Sequence, residues 1–252
     1  MARPVTLTSY TNRSMNREYH KWWSPTLGRD MELLIFGQGG QPVVVFPTAA
    51  GRFFEFEDRG MVAALAEPCE AGRQQIFCLD SIDQESWYNR DLPPAGRVLR
   101  HMQYETYVME EALRFVRFRN AADRITLAGC SFGGYHALNF TLKHPEQVNH
   151  CLTMSGAFDI SHFLGKYSDD NAYFNNPLAY LPRLTDQHFL DEYNHNIRFN
   201  LVAGERDLCL DDNLRMAGIM GAKGIRHNLD IWGNNATHDW PWWQQMVRKF
   251  LG

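Results

Sequence analysis

No run of 18 apolar residues occurs in the 252-residue chain. A membrane-spanning helix needs about 20 such residues to cross the hydrocarbon layer, so none is expected. The opening Met1-Ala2-Arg3-Pro4-Val5-Thr6-Leu7-Thr8-Ser9-Tyr10 lacks the apolar core of a secretory signal, and a cytoplasmic protein is the expectation. Basic runs are missing too. The 25 Lys and Arg and 29 Asp and Glu are scattered and leave a formal charge of −4, which gives no electrostatic reason for a nucleic-acid or anionic-membrane partner. Cysteine is sparse and unpatterned: Cys69, Cys78, Cys130, Cys151 and Cys209 are odd in number and lack C-x-x-C spacing. That argues against both a disulfide framework and a zinc site, and for reduced thiols. Internal repeats and low-complexity linkers are absent, and 44% hydrophobic content suffices for one large core, so a single domain over residues 1–252 is expected.

What is present is a rhythm. Apolar runs bounded by turn residues recur at Met31 to Phe36, Pro42 to Phe46, Gln75 to Leu79, Ile125 to Ala128, His150 to Met154, Ile197 to Val202 and Leu229 to Trp232. Helical patterns lie between them. The alternation predicts an α/β protein with a mostly parallel central sheet and helices on both faces. From Val98 to Asn120, apolar Met102, Tyr107, Val108, Leu113, Phe115, Val116 and Phe118 fall mostly between charged residues, as in one amphipathic crossover helix. Further helices are expected over Asp212 to Ala222 and from about Trp240 to Leu251.

The run Gly129-Cys130-Ser131-Phe132-Gly133 fits G-x-S-x-G, with a strand pattern before it and a helix pattern from Phe132 to Lys143 after it. A strand that turns straight into a helix must hold the serine in a strained backbone, and a side chain at either flanking glycine would collide with the turn. The Ser131 hydroxyl is thereby lifted clear of the sheet, and the Phe132 amide at the helix N-terminus faces any oxyanion formed on an attacked carbonyl. Cys130 comes one residue too early to be the nucleophile and reads as a packed strand end.

A serine hydroxyl needs a histidine base and a carboxylate that fixes the imidazole. In this kind of fold they follow in the order serine, acid, histidine. The loop after Ile197 to Val202 holds Glu205-Arg206-Asp207. Asp207 is the expected acid and Asp211 the reserve, because Asp211 and Asp212 suit the capping of the next helix. His238 lies in the Gly/Asn-rich loop after the last strand, and position removes the competing His20, His101, His136, His144 and His227. The second oxyanion donor should come from Thr48, Ala49 or Ala50, since Pro47 has no N–H; Ala49 is favoured. Aromatic residues gather in the same loops, and Trp87 and Trp240 are candidates to line a substrate pocket. Residues 158–196, rich in Asn, Asp, Tyr and Pro, form an insertion that is either a cap over the active site or a plain surface excursion.

On these residues the chain resembles the Putative esterase family, whose members include esterase D (S-formylglutathione hydrolase), feruloyl esterase domains and mycolyltransferases. The resemblance runs from Ser24-Pro25-Thr26-Leu27-Gly28-Arg29-Asp30-Met31 through the serine motif, His144-Pro145-Glu146, Ser155-Gly156-Ala157-Phe158-Asp159 and Gly204-Glu205-Arg206-Asp207 to His238-Asp239-Trp240. It implies the α/β-hydrolase fold, the triad Ser131, Asp207 and His238, and hydrolysis of a small-molecule carboxylic ester or thioester without cofactor or metal. Acyl transfer to an alcohol or sugar, and a catalytically idle ligand-binding scaffold, are the alternatives. A homo-oligomer stays open.

Overall fold

The computed structural model describes residues 15–252, so the stretch Met1 to Tyr10, expected to carry no signal, lies outside it. Among the described residues eight strands form one sheet: β1 (Arg17–Ser24), β2 (Arg29–Phe36), β3 (Gln41–Phe46), β4 (Gln74–Leu79), β5 (Ile125–Cys130), β6 (Val148–Met154), β7 (Arg198–Gly204) and β8 (Asn228–Trp232). Their order is β1-β2-β4-β3-β5-β6-β7-β8. β1 pairs antiparallel with β2 and β2 with β4, and every other neighbouring pair is parallel.

Side chains alternate across a strand, so a sheet covered on both faces needs apolar residues on both. On one face Val43, Val45, Ile76 and Cys78 meet the short helices α1 (Glu55–Asp58), α2 (Met61–Ala64) and α3 (Ala66–Glu70) through Phe56, Met61, Val62 and Cys69. Their neighbours Val44, Phe46, Phe77 and Leu79 point the other way, onto Tyr104 and Tyr107 of α4 (Pro94–Tyr107), Leu113 of α5 (Leu113–Arg119) and Tyr135 and Leu138 of α6 (Phe132–Lys143). An insertion of four helices follows β6: α7 (Ser161–Leu164), α8 (Asp170–Phe174), α9 (Pro177–Tyr180) and α10 (Gln187–Asn196). Then α11 (Leu210–Ala222) joins the α6 face through Met216 and Met220, and α12 (Trp240–Leu251) joins the α1–α3 face through Trp243, Met246 and Val247. None of these helices is long and apolar enough to cross a membrane.

Two elements depart from the sequence pattern. β1 carries Glu18, His20 and Trp22 on its half-buried side, so no apolar alternation marks it; Arg119 grips Glu18 and Glu111 accepts from Trp22 Nε1 at 3.0 Å and Ser24 Oγ at 2.8 Å. The crossover helix is interrupted between α4 and α5 by a π-helical turn, Val108–Ala112, which contains that Glu111. The insertion, for its part, lies along α6: Tyr135 Oη donates to the Asn175 carbonyl at 2.8 Å and Tyr193 Oη to that of Leu142. Its first helix reaches the serine turn, where Phe163 packs on Phe132 with ring centroids 5.6 Å apart.

Candidate active site

Ser131, Asp207, His238 and the turn Thr48 to Ala50 follow the parallel strands β5, β7, β8 and β3, at the carboxyl edge of the sheet where loops from several strands converge. Ser131 follows β5 directly with φ 54° and ψ −122°, a region that side chains rarely adopt. Its N–H donates to Met154 O at 2.9 Å, and its carbonyl accepts from Gly134 and Ala157, both at 3.0 Å. The flanking glycines are required sterically. A Cβ on Gly129 would stand 2.2 Å from the Gly133 carbonyl carbon, and one on Gly133 would stand 2.5 Å from the Phe46 and Pro47 oxygens.

His238 reaches this serine from the loop after β8. Asn234 and Asn235 both take left-handed backbones, at φ 60° and 61°. The turn is then clamped to the end of β7: Glu205 Oε1 accepts from Asn235 N at 2.6 Å, and Arg206 N donates to Ala236 O at 2.9 Å. Beyond the histidine, Asp239 caps α12. The result places His238 Nε2 2.9 Å from Ser131 Oγ and Nδ1 2.8 Å from Asp207 Oδ1. Asp207 is buried and His238 half-buried. Burial alone would push the Asp207 carboxyl up, but hydrogen bonds from His238, Ser155 and the Cys209 N–H outweigh it and hold the group below its ordinary range. Asp211 and Asp212 lie in the first turn of α11, where Asp212 accepts from Asp159 N at 2.9 Å; the imidazole's carboxylate partner is Asp207.

In the loop after β3, Glu55 takes both the N–H of Thr48, at 2.9 Å, and its hydroxyl, at 2.8 Å. Thr48 is therefore committed, and Ala49 and Ala50 remain. Neither of their N–H groups, nor that of Phe132 at the start of α6, meets an acceptor among the described residues.

Trp87 is not at a pocket wall. It is 1% exposed, wedged among His101, Tyr135 and Phe163 in the core, because the loop after β4 folds back over α4 and α6. The exposed ring beside the serine turn is its neighbour Tyr88, edge-on to Phe132 at 5.4 Å. Trp240 is half-buried at the other rim, against Trp243 and under the Arg59 guanidinium. Leu208, next to Asp207, stands 79% exposed. Off the β3 loop opens a polar cleft of about 290 Å³, lined by Arg29, Ala50, Arg52, Ser81, Gln84 and Glu85 among others. The sequence carries no signal for it, since its groups come from the start of β2 and from the loops after β3 and β4.

Asp207, Cys209 and His238 bring donor atoms within 4.8 Å of one another. The set suits a metal poorly: burial pushes the Cys209 thiol up to about 12, so it stays protonated, and the other two bond to each other. The five cysteines are buried and free.

The family model described as Putative esterase matches residues 24–250. Among solved structures, a ferulic acid esterase is 17% identical, with 94% of this chain and 96% of that chain covered and a TM-score of 0.75. The S-formylglutathione hydrolase of Staphylococcus aureus is 14% identical over 94% of this chain and 97% of that one, with a TM-score of 0.73. That of Agrobacterium tumefaciens is 15% identical over 95% and 96%, with a TM-score of 0.71. These similarities show the α/β-hydrolase fold. No curated protein matches the chain in sequence.

Proposed function

The chain belongs to the Putative esterase family, and we propose that it hydrolyses a small-molecule carboxylic ester or thioester through an acyl-enzyme on Ser131. The observation that carries this reading is the relay from Ser131 Oγ through His238 to Asp207, with steps of 2.9 and 2.8 Å. Neutral His238 takes the hydroxyl proton as Oγ attacks the carbonyl, and Asp207 stabilises the imidazolium that forms. The N–H groups of Phe132 and Ala49 receive the oxyanion. His238 then protonates the leaving alcohol or thiol, and water activated by the same nitrogen releases the acid.

Tyr88 and Leu208 offer an apolar rest for one side of the ester, with Trp240 at the rim, and the cleft beside Ala50 offers hydrogen bonds to the other. The test is a panel of p-nitrophenyl esters of graded chain length, feruloyl esters and S-formylglutathione, with Ser131→Ala as the blank. Hydrolysis of at least one, abolished in the variant, is expected; turnover by the variant within tenfold of wild type contradicts the mechanism. Partition of the acyl group between water and added alcohols separates hydrolysis from acyl transfer.

A further inference from the structure

His238 uses one of the two oxygens of Asp207. That oxygen, Oδ1, accepts from His238 Nδ1 and from the Cys209 N–H, each at 2.8 Å. Oδ2 accepts the hydroxyl of Ser155. Ser155 directly follows β6 as Ser131 follows β5, and is fully buried with φ 56°. Its Oγ in turn accepts from Trp243 Nε1 at 2.7 Å. Chemistry dictates the direction of this chain. An indole N–H only donates, so the serine oxygen is the acceptor there and its one proton is left for the carboxylate. Trp243 also stands edge-on to the His238 imidazole, with centroids 4.9 Å apart and planes at 82°.

We propose that Ser155 and Trp243 are positioning residues for the Asp207–His238 pair, an inference that rests on the acid and base roles given above. Without the Ser155 hydroxyl, Oδ2 would be a buried anionic oxygen lacking a donor, and the carboxylate would turn to find one. Turning draws Oδ1 away from Nδ1 and leaves the imidazole free to tip off the Ser131 hydroxyl. Trp243 acts at both ends, fixing the Ser155 oxygen through its N–H and the imidazole through its ring.

Ser155→Gly removes the hydroxyl and eases the left-handed backbone, so it guards against a simple folding failure; Ser155→Ala removes the hydroxyl alone. Both should lower kcat by roughly 10- to 100-fold, the loss expected for a hydrogen bond to a buried charge, while KM moves by less than about twofold. Trp243→Phe keeps the ring and loses the donor, and should fall between these variants and wild type. In an Asp207→Asn background Ser155→Ala should cost nothing further, because it acts through the carboxylate. Wild-type kcat in Ser155→Gly, or an equal loss in both backgrounds, overturns the proposal. A readout free of turnover is the low-field proton resonance of His238 Nδ1–H: it should move in Ser155→Ala, and an unmoved resonance also overturns the proposal. A moved resonance in a protein that hydrolyses no ester upholds the positioning and refutes the esterase reading.

Discussion

Among the described residues two aspartate–histidine pairs have equal length, and one of them touches a serine. His238 Nδ1 and Asp207 Oδ1 are 2.8 Å apart in loops at the rim of the sheet; His136 Nε2 and Asp83 Oδ1 are 2.8 Å apart beneath it. Both oxygens of Asp207 accept hydrogen bonds, whereas Asp83 Oδ2 meets no donor among the described residues. His238 keeps its second nitrogen on Ser131 Oγ. His136 is packed among Phe46, Tyr104 and Phe132, with centroids 5.0 to 5.6 Å away. A histidine–carboxylate pair becomes a general base when its free nitrogen faces a hydroxyl that substrate can reach. Enclosed by rings, the same pair is a strut, here tying α6 to the loop after β4.

Substitution can break this comparison. His238→Ala should lower kcat/KM by on the order of 10⁴, while His136→Ala should stay within about tenfold per folded molecule. Steady-state kinetics on protein titrated for folded fraction decides, and a loss near 10³ in folded His136→Ala would erase the distinction. Asp207→Asn should follow His238→Ala at roughly 10³ to 10⁴, because the amide favours the wrong imidazole tautomer, and Asp211→Asn should stay within about twofold. The reverse ranking would move the acid to Asp211. In stability the order inverts: removing His136 strands a buried carboxylate, so His136→Ala should cost about 3 kcal/mol in denaturant unfolding. An unfolding midpoint equal to wild type would deny the strut.

A carboxylate with two basic partners, Glu105, sharpens the electrostatic side. Burial alone would push the Glu105 carboxyl up, but His144 and Lys143 bonding to it hold it at about 2. Its folded value is below its unfolded one, so its stabilisation of about 3 kcal/mol is complete above pH 4.5 and is lost as pH falls toward 2. Glu105→Gln should therefore be less stable at pH 7 and flatter on acidification, as equilibrium unfolding at graded pH would show. A parallel acid limb in the variant contradicts this. The smallest effect concerns thiols. Burial pushes the thiol of Cys130 up, and that of Cys209 to about 12, so iodoacetamide at pH 7.5 should leave activity unchanged. Inactivation reversed by Cys130→Ser would place a reactive thiol beside the serine.

The arrangement of the candidate site is legible where chemistry and chain order coincide. G-x-S-x-G between strand and helix patterns marks Ser131, and the loops after the last two parallel strands mark Asp207 and His238, because a parallel sheet delivers its loops to one edge. Legibility ends where tertiary packing decides. β1 went unseen because its inward side is polar and satisfied by Arg119 and Glu111. Trp87 in the sequence is a loop aromatic like Tyr88, and nothing local says that one ring turns into the core while the other stays out. Ser155 stands in a Ser-Gly pair like many in turns, and its bond to Asp207 spans 52 residues.

The central claim, that Ser131 is the nucleophile activated by His238, is tested most directly by covalent labelling with a fluorophosphonate and mass spectrometry of the digested protein. One adduct is expected, on the peptide containing Ser131, formed in step with loss of ester hydrolysis, much slower in His238→Ala and absent from folded Ser131→Ala. An unlabelled Ser131 in protein that hydrolyses esters, or an adduct elsewhere that abolishes the activity, would contradict the account.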